Sequence, residues 1–177
     1  QWVDLVFDAT DLGVWDWNPS TNHIVYNERC ARLLGYAPEE LPANARGWRA
    51  MTHPDDLPRI NAQFRAHVTD RTSAALRLEY RTRAKDGRWV WVQNWGRVIE
   101  RDDAGRALRA VGIFQDISQL KHAEAALRES EARLRTIVES SPVGIFLCDA
   151  EGQVVFRNQT IALIHGTDGT EEFGLGW

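Results

Sequence analysis

The chain has 177 residues, 44% hydrophobic and 26% charged, with a formal net charge of −4; this is ordinary for a globular protein with one core of ~100–150 residues and some chain to spare. No block of like charge is long enough for a nucleic-acid arm, and no apolar run approaches the ~18 residues that span a bilayer, so neither nucleic acid nor direct membrane contact is expected of this segment. There is no leader pattern, and the two cysteines, Cys30 and Cys148, lack Cys-x-x-Cys spacing, which suits a reducing, cytoplasmic setting, with or without a membrane anchor elsewhere in the parent protein.

Residues 2–9 read as a short helix. Val14–Asn18 reads as a strand, Pro19–Asn22 as a turn and His23–Tyr26 as a second strand. Trp15 and Trp17 share one face of the first strand and Asp16 takes the other; a carboxylate prefers water, so the indoles are predicted to point inward. Glu28–Leu34 is a helix closed by Gly35. Residues 39–41 and the region of Trp48 are irregular or single-turn. His53-Pro-Asp-Asp56 opens the next helix, where Asp55 and Asp56 serve as cap and dipole compensation and Ile60, Phe64 and His67/Val68 share a face.

Leu76–Arg83 alternates, with Leu76, Leu78 and Tyr80 on one side and Arg77, Glu79, Arg81 and Arg83 on the other. Asp86-Gly87 signals a hairpin, Trp89–Ile99 is the return strand, Asp102–Gly105 a turn and Leu108–Gln115 the last strand. A two-residue turn would place Trp89, Trp91 and Trp95 inside; one more loop residue places them outside, opposite the arginines, and leaves Leu78, Tyr80, Val92 and Asn94 within. An outer aromatic stripe needs a cover, either the N-terminal helix with Trp2, Leu5 and Val6 or a partner subunit. The pattern predicts an α+β fold: a five-stranded antiparallel sheet with short flanking helices, followed by a long linker helix.

The chain also repeats itself. Asp11–Asn18 aligns with Pro142–Asp149, and the same spacing carries Gly13 onto Gly144, Asn27 onto Asn158 and Gly35 onto Gly166. Between the copies, residues 118–141 form a helix in which Leu120, Leu127 and Leu134 recur every seventh position, a short seam for a parallel helix pair or for packing on its own domain. The expected division is residues 1–117 as one domain, 118–141 as linker, and 142–177 as the start of a second copy too short to build a core alone.

The succession Gly13-Val-Trp-Asp-Trp17, Asn27, Leu34-Gly-Tyr36, His53-Pro-Asp-Asp56, Glu79-Tyr-Arg81, Asp86-Gly87, Trp91-Val92 and Val111-Gly112 running to Asp116-Ile-Ser118 resembles the PAS family, with its C-terminal PAC motif, in the branch found in bacterial sensor histidine kinases and diguanylate cyclases. The resemblance covers residues 4–118 and a truncated copy from about 134. It implies a sheet cupping a pocket, here walled by Trp15, Trp17, Phe64, Tyr80, Val92, Asn94 and Phe114, and a signalling exit through Asp116, Ile117 and Ser118. The implied role is a sensory, dimerising module of a two-component or cyclic-dinucleotide signalling protein, not itself an enzyme. Its implied partners are a second copy meeting along Leu120, Leu127 and Leu134 and a downstream output domain in the same polypeptide.

Fold alone specifies no ligand. In the flavin branch a reactive cysteine lies on a later helix than the one carrying Cys30, and a glutamine stands where this chain has Phe114. Haem would require an axial histidine, and His67, near its helix end, reads as a surface cation. The expectation is therefore no cofactor or an unknown small molecule. The alternatives are a redox or gas sensor holding FAD or haem, and a ligand-free relay. No metal site is expected, and no phosphate loop, serine elbow or His-Glu-x-x-His motif occurs.

Overall fold

The structure, a computed structural model, describes residues 12–69 and 75–165. The helix expected over residues 2–9, and with it the cover from Trp2, Leu5 and Val6, lies outside the described residues. The chain divides into two compact units, Gln1–Lys121 and His122–Trp177.

In the first unit, β1 (Gly13–Asn18) and β2 (His23–Tyr26) form a hairpin, followed by α1 (Glu28–Leu34), a 3-10 turn (Pro38–Glu40), α2 (Ala45–Met51) and α3 (Leu57–Thr69). Three long strands come next: β3 (Leu76–Arg83), β4 (Trp89–Arg101) and β5 (Ala107–Asp116). All five strands make one antiparallel sheet in the order β2-β1-β5-β4-β3. The core lies between the concave sheet face and the helices, with Cys30, Ala31, Leu34, Ile60, Leu78, Tyr80, Val90, Val92 and Phe114 all buried. The expected strands recur within two residues of their ends. The Trp48 region, read as irregular or single-turn, is α2, a seven-residue helix begun by Asn44, whose side chain accepts from the Gly47 N–H; its shortness and its glycine hid its extent.

The β3–β4 turn decides the fate of three tryptophans. Ala84 N–H bonds to the Arg88 carbonyl and Gly87, at φ +88°, closes a three-residue loop. Arg77 thus faces Trp95, Arg81 faces Trp91 and Arg83 faces Trp89. This is the longer-turn alternative: the stripe is outside, with the Arg77 and Arg81 guanidiniums 5.6 and 5.4 Å from the Trp95 and Trp91 ring centres.

Asp56 behaves differently from the expected cap. Its carboxylate is buried and accepts from the Arg81 backbone N–H, Nε and Nη2 at 2.9, 3.0 and 3.0 Å, joining the start of α3 to β3. Burial pushes its pKa up, but the Arg81 bonds and charge outweigh this and hold it below the ordinary carboxylate value. The resulting stability is complete above the unfolded pKa of about 4 and is lost as pH falls through the lower folded value. Urea melts from pH 7 to pH 2.5 should show this loss in the native protein. Asp56→Asn should instead start about 2 kcal/mol less stable and show a shallower slope, a figure discounted because Arg81 is partly exposed.

The second unit holds most of α4 (Ser118–Glu139), then β6 (Phe146–Cys148), β7 (Val154–Arg157) and α5 (Gln159–His165). The repeat is visible in its hydrogen bonds. Asn27 Oδ1 accepts from Val14 and Cys30 N–H groups, and Nδ2 donates to the Leu12 carbonyl. Asn158 Oδ1 accepts from Ile145 and Ile161, and Nδ2 donates to the Val143 carbonyl. These three partners recur at the spacing that separates the two asparagines, and Asn158 Nδ2 donates in addition to the Val138 carbonyl. The glycines repeat too: a Cβ on Gly13 would lie 2.5 Å from Cys30 Sγ, and one on Gly144 2.5 Å from Ile161. In each copy a bare backbone crosses a helix start that the asparagine ties down. Counterparts of β3–β5 are absent among the described residues of this unit, and Phe146, Leu147, Leu163 and Ile164 are exposed.

Candidate functional site

The concave face of the first sheet is shaped by a row of small residues. Across the strands Leu76 pairs with Gly96, Gly96 with Gly112, and Gly112 with Trp15. The Trp15 indole lies against both glycines, where a Cβ would come within 2.9 Å of its ring atoms. The next row sets Trp17 beside Ala110 and Ala110 beside Val98. Trp17 lies against Phe64 of α3 (ring centres 5.3 Å), and Phe64 against Trp48 of α2 (6.3 Å). Both tryptophans of β1 are only half-buried, because the space they wall opens to one side.

A polar chain runs behind these rings. Trp15 Nε1 donates to Asn94 Oδ1 (2.9 Å), Asn94 Nδ2 to the Tyr80 hydroxyl (3.2 Å), and Trp48 Nε1 to the same hydroxyl (2.9 Å). Burial pushes the Tyr80 pKa up to about 12, against the pull of its two donors, so the phenol keeps its proton at neutral pH. Trp17 Nε1 is buried with no acceptor among the described residues, a state that costs about 1–3 kcal/mol.

Together these groups wall a mainly apolar cavity of about 70 Å³. The structure brings Trp15, Trp17, Phe64, Tyr80, Asn94 and Phe114 to it. Val92 is not in the wall: it faces inward but is wholly buried in the core with Cys30, Ala31 and Leu34, one pleat beyond Asn94. Sequence reasoning missed Tyr26, Trp48, Gly96 and Val98. Trp48 carried a usable signal, an indole N–H in a polar segment that needed an acceptor. His67, read as a surface cation, also belongs to the wall, with Nε2 buried.

Seventy cubic ångströms is about half the ~150 Å³ that accepts benzene and far below the 300–1,000 Å³ of a typical cofactor pocket. With Trp15 and Trp17 where they lie, the residues do not fit a flavin or a haem. Cys30 is buried on α1, donates to the Val14 carbonyl (3.4 Å), and has its thiol pushed up to about 12 by burial, so it is held as the unreactive thiol. Among the described residues no cluster of His, Cys, Asp and Glu could hold a metal ion, and no helix is long and apolar enough to cross a membrane.

The exit from the sheet is bolted to β4 and β3. Asp116 Oδ1 accepts from the Ser118 N–H (2.7 Å), capping α4. Buried Ile117 donates its N–H to the Trp91 carbonyl (2.8 Å), and Ser118 Oγ accepts from the Trp91 N–H (3.1 Å). One turn on, Lys121 Nζ sits 2.8 Å from Glu79 Oε2 and over the Trp91 ring. Glu79 Oε1 also accepts from Gln93 Nε2 (2.7 Å) and Arg77 Nη2 (3.0 Å). The hydrogen bond from Lys121 is the main reason its carboxyl lies below the ordinary value. The Glu79–Lys121–Trp91 clamp has no signature in the sequence, since its members meet only when strands and helix are assembled. Leu120, Leu127 and Leu134 are all exposed along α4.

The sequence matches the PAS fold family over residues 23–114 and the PAS domain family over residues 132–176; the chain belongs to the PAS family, and its second copy is a second match to it. It is similar to the two-component sensor PprA of Pseudomonas aeruginosa (28% identity over 163 residues, 89% of this chain and 17% of that protein). It is also similar to the probable diguanylate cyclase DgcE of Escherichia coli (25% over 174 residues, 98% of this chain and 15% of that protein). Among solved structures, a sensory box histidine kinase/response regulator from Burkholderia thailandensis superimposes with a TM-score of 0.66 at 32% identity, covering 77% of this chain and 99% of that one. The chain thus spans less than a fifth of the length of these two curated relatives.

Proposed function

We propose that the chain is a sensory relay segment of a signal-transduction protein. The state of the cavity walled by Trp15, Trp17, Phe64, Tyr80, Asn94 and Phe114 is passed through Asp116, Ile117 and Ser118 into α4, and onward to a histidine kinase or diguanylate cyclase output domain of the same polypeptide. The protein acts as a homodimer in which two α4 helices meet along Leu120, Leu127 and Leu134. The observation that carries this reading is the alternation of β3 and β4. Tyr80 and Asn94 face the cavity, while their neighbours Glu79 and Gln93 face outward, and Glu79 holds Lys121 of α4. A shift of either strand at the cavity therefore moves the grip on the helix, the two-state element that such a relay requires.

Filling the cavity from within tests the relay. Ala110 is buried in the wall, and Ala110→Leu places extra carbons where a ligand would sit. Hydrogen exchange at Ile117, Ser118 and Lys121 should change at least threefold in a variant that still melts cooperatively. Unchanged exchange at these three amides in a folded variant would remove the cavity from the mechanism and favour a ligand-free structural relay.

A further inference from the structure

Packing, rather than hydrogen bonding, is what the cavity offers a guest. The side-chain polar groups around it are spent on one another or turned away from open space. Trp15 Nε1 donates to Asn94 Oδ1, Asn94 Nδ2 and Trp48 Nε1 donate to the Tyr80 hydroxyl, and Tyr80 itself is wholly buried. Trp17 Nε1 and His67 Nε2 are also shut off from open space, so neither atom reaches a guest. Arg97 is exposed, and its charge keeps its water. What these bonds leave over, besides the buried Tyr80 proton, is a second lone pair on Asn94 Oδ1. Around it stand Trp17, Trp48, Phe64, Val98, Ala110 and Phe114, which offer carbon to the cavity.

Resting on the reading of this cavity as the sensory site, we propose that its ligand is a small apolar molecule, a short hydrocarbon or an equally apolar compound, held by contact with Trp17, Trp48 and Phe64. The volume of about 70 Å³, about half of what takes benzene, limits the body to roughly three or four heavy atoms. Each methylene moved from water onto these rings is worth about fourfold in binding. An amide or charged guest of the same size instead gives up its water for a wall with one spare acceptor. A lone donor on the ligand is tolerated at Asn94, but the wall selects for carbon.

Probes of one branched shape test this on the full chain: 2-methylpropane, 2-propanol, acetone and acetamide. Titrations at matched free concentrations are followed in the Ala110 methyl line and the indole N–H lines, and intermolecular nuclear Overhauser contacts locate each probe. The expected result is that 2-methylpropane binds more tightly than 2-propanol and acetone and about tenfold or more above acetamide, with contacts to Ala110 and Phe64. Ala110→Leu, which fills the same space, should weaken 2-methylpropane about tenfold; the contacts are read in the unaltered protein and locate the site if that variant fails to fold. Tighter binding of 2-propanol than of 2-methylpropane would mean that the spare lone pair of Asn94 selects a donor. Tighter binding of acetone or acetamide would mean that a polar group sets the choice. Either outcome overturns the apolar class while still reporting a binding cavity, and contacts that avoid Ala110 and Phe64 overturn it too. If no probe moves Ala110 or any indole line, the sensory-cavity reading falls with it.

Discussion

Gly112→Ala is expected to destabilise the first unit severely. A Cβ at this position would collide with the Trp95 carbonyl oxygen and the Trp15 indole together. The indole has a rotatable stem, but the carbonyl is a strand backbone held in the β4–β5 ladder, so relief requires parting two central strands. The cost should reach about 4 kcal/mol or more, a large part of the 5–15 kcal/mol available to a domain. Gly96→Ala provides the contrast. Its close neighbours are Trp15 ring atoms alone, at 2.8 and 2.9 Å, so Trp15→Leu in the same chain should restore part of the lost stability. Urea unfolding followed by circular dichroism separates the cases: rescue at Gly96 with none at Gly112 is the predicted pattern, and equal rescue at both would mean the indole, not the strand spacing, sets the limit.

The second large effect concerns assembly. Leu127 and Leu134 are 62% and 59% exposed, one heptad apart on α4, and Leu120 continues the line. Three leucines facing water on a single helix form a seam that a second copy can cover, with register set by the seven-residue period. Replacing Leu127 and Leu134 together by glutamate puts like charges across that seam, and sedimentation should change from dimer to monomer. Leu76–Arg83 and the rest of the first sheet lie upstream of both sites, so the melting of that unit should persist. A dimer that survives both substitutions would place the interface on the outer sheet face, where Trp89 is 43% exposed beside the Arg81–Trp91 and Arg77–Trp95 stacks.

Much of the architecture was legible because the sequence signals are local. Alternation in Leu76–Arg83, Gly35 after a short helix, and the turn at Asp86-Gly87 each act within a few residues, and the corresponding elements are present. The hairpin register left two answers open, since one loop residue reverses which face the tryptophans take; the bond from Ala84 to Arg88 settles it. The wall of the cavity was half legible. Trp15, Trp17 and Tyr80 could be oriented by alternation, whereas Gly96 and Gly112 matter only once paired across strands. Trp48 was harder, because the seven residues of α2 give too short a period from which to read a facing direction; His67 shared the Ile60 and Phe64 face by period, and its place near the helix end led to the surface reading. Asp56 was misjudged for a related reason: an acidic residue before a helix reads as a cap, and its partner Arg81 is remote in sequence.

The two ends of α4 are held by different means. Lys121 is fixed by Glu79 and Trp91, and the Val138 carbonyl accepts from Nδ2 of Asn158, while Glu139 Oε2 accepts from the Gln159 N–H. A helix gripped at both ends has a phase as well as a length. Adding one residue between Lys121 and Val138 turns one grip about the axis by roughly 100° relative to the other; adding seven returns it to within about 20°. Insertions and deletions in this stretch are therefore counted like teeth on a gear: their number modulo two turns, not their total, sets whether both grips keep their bearing.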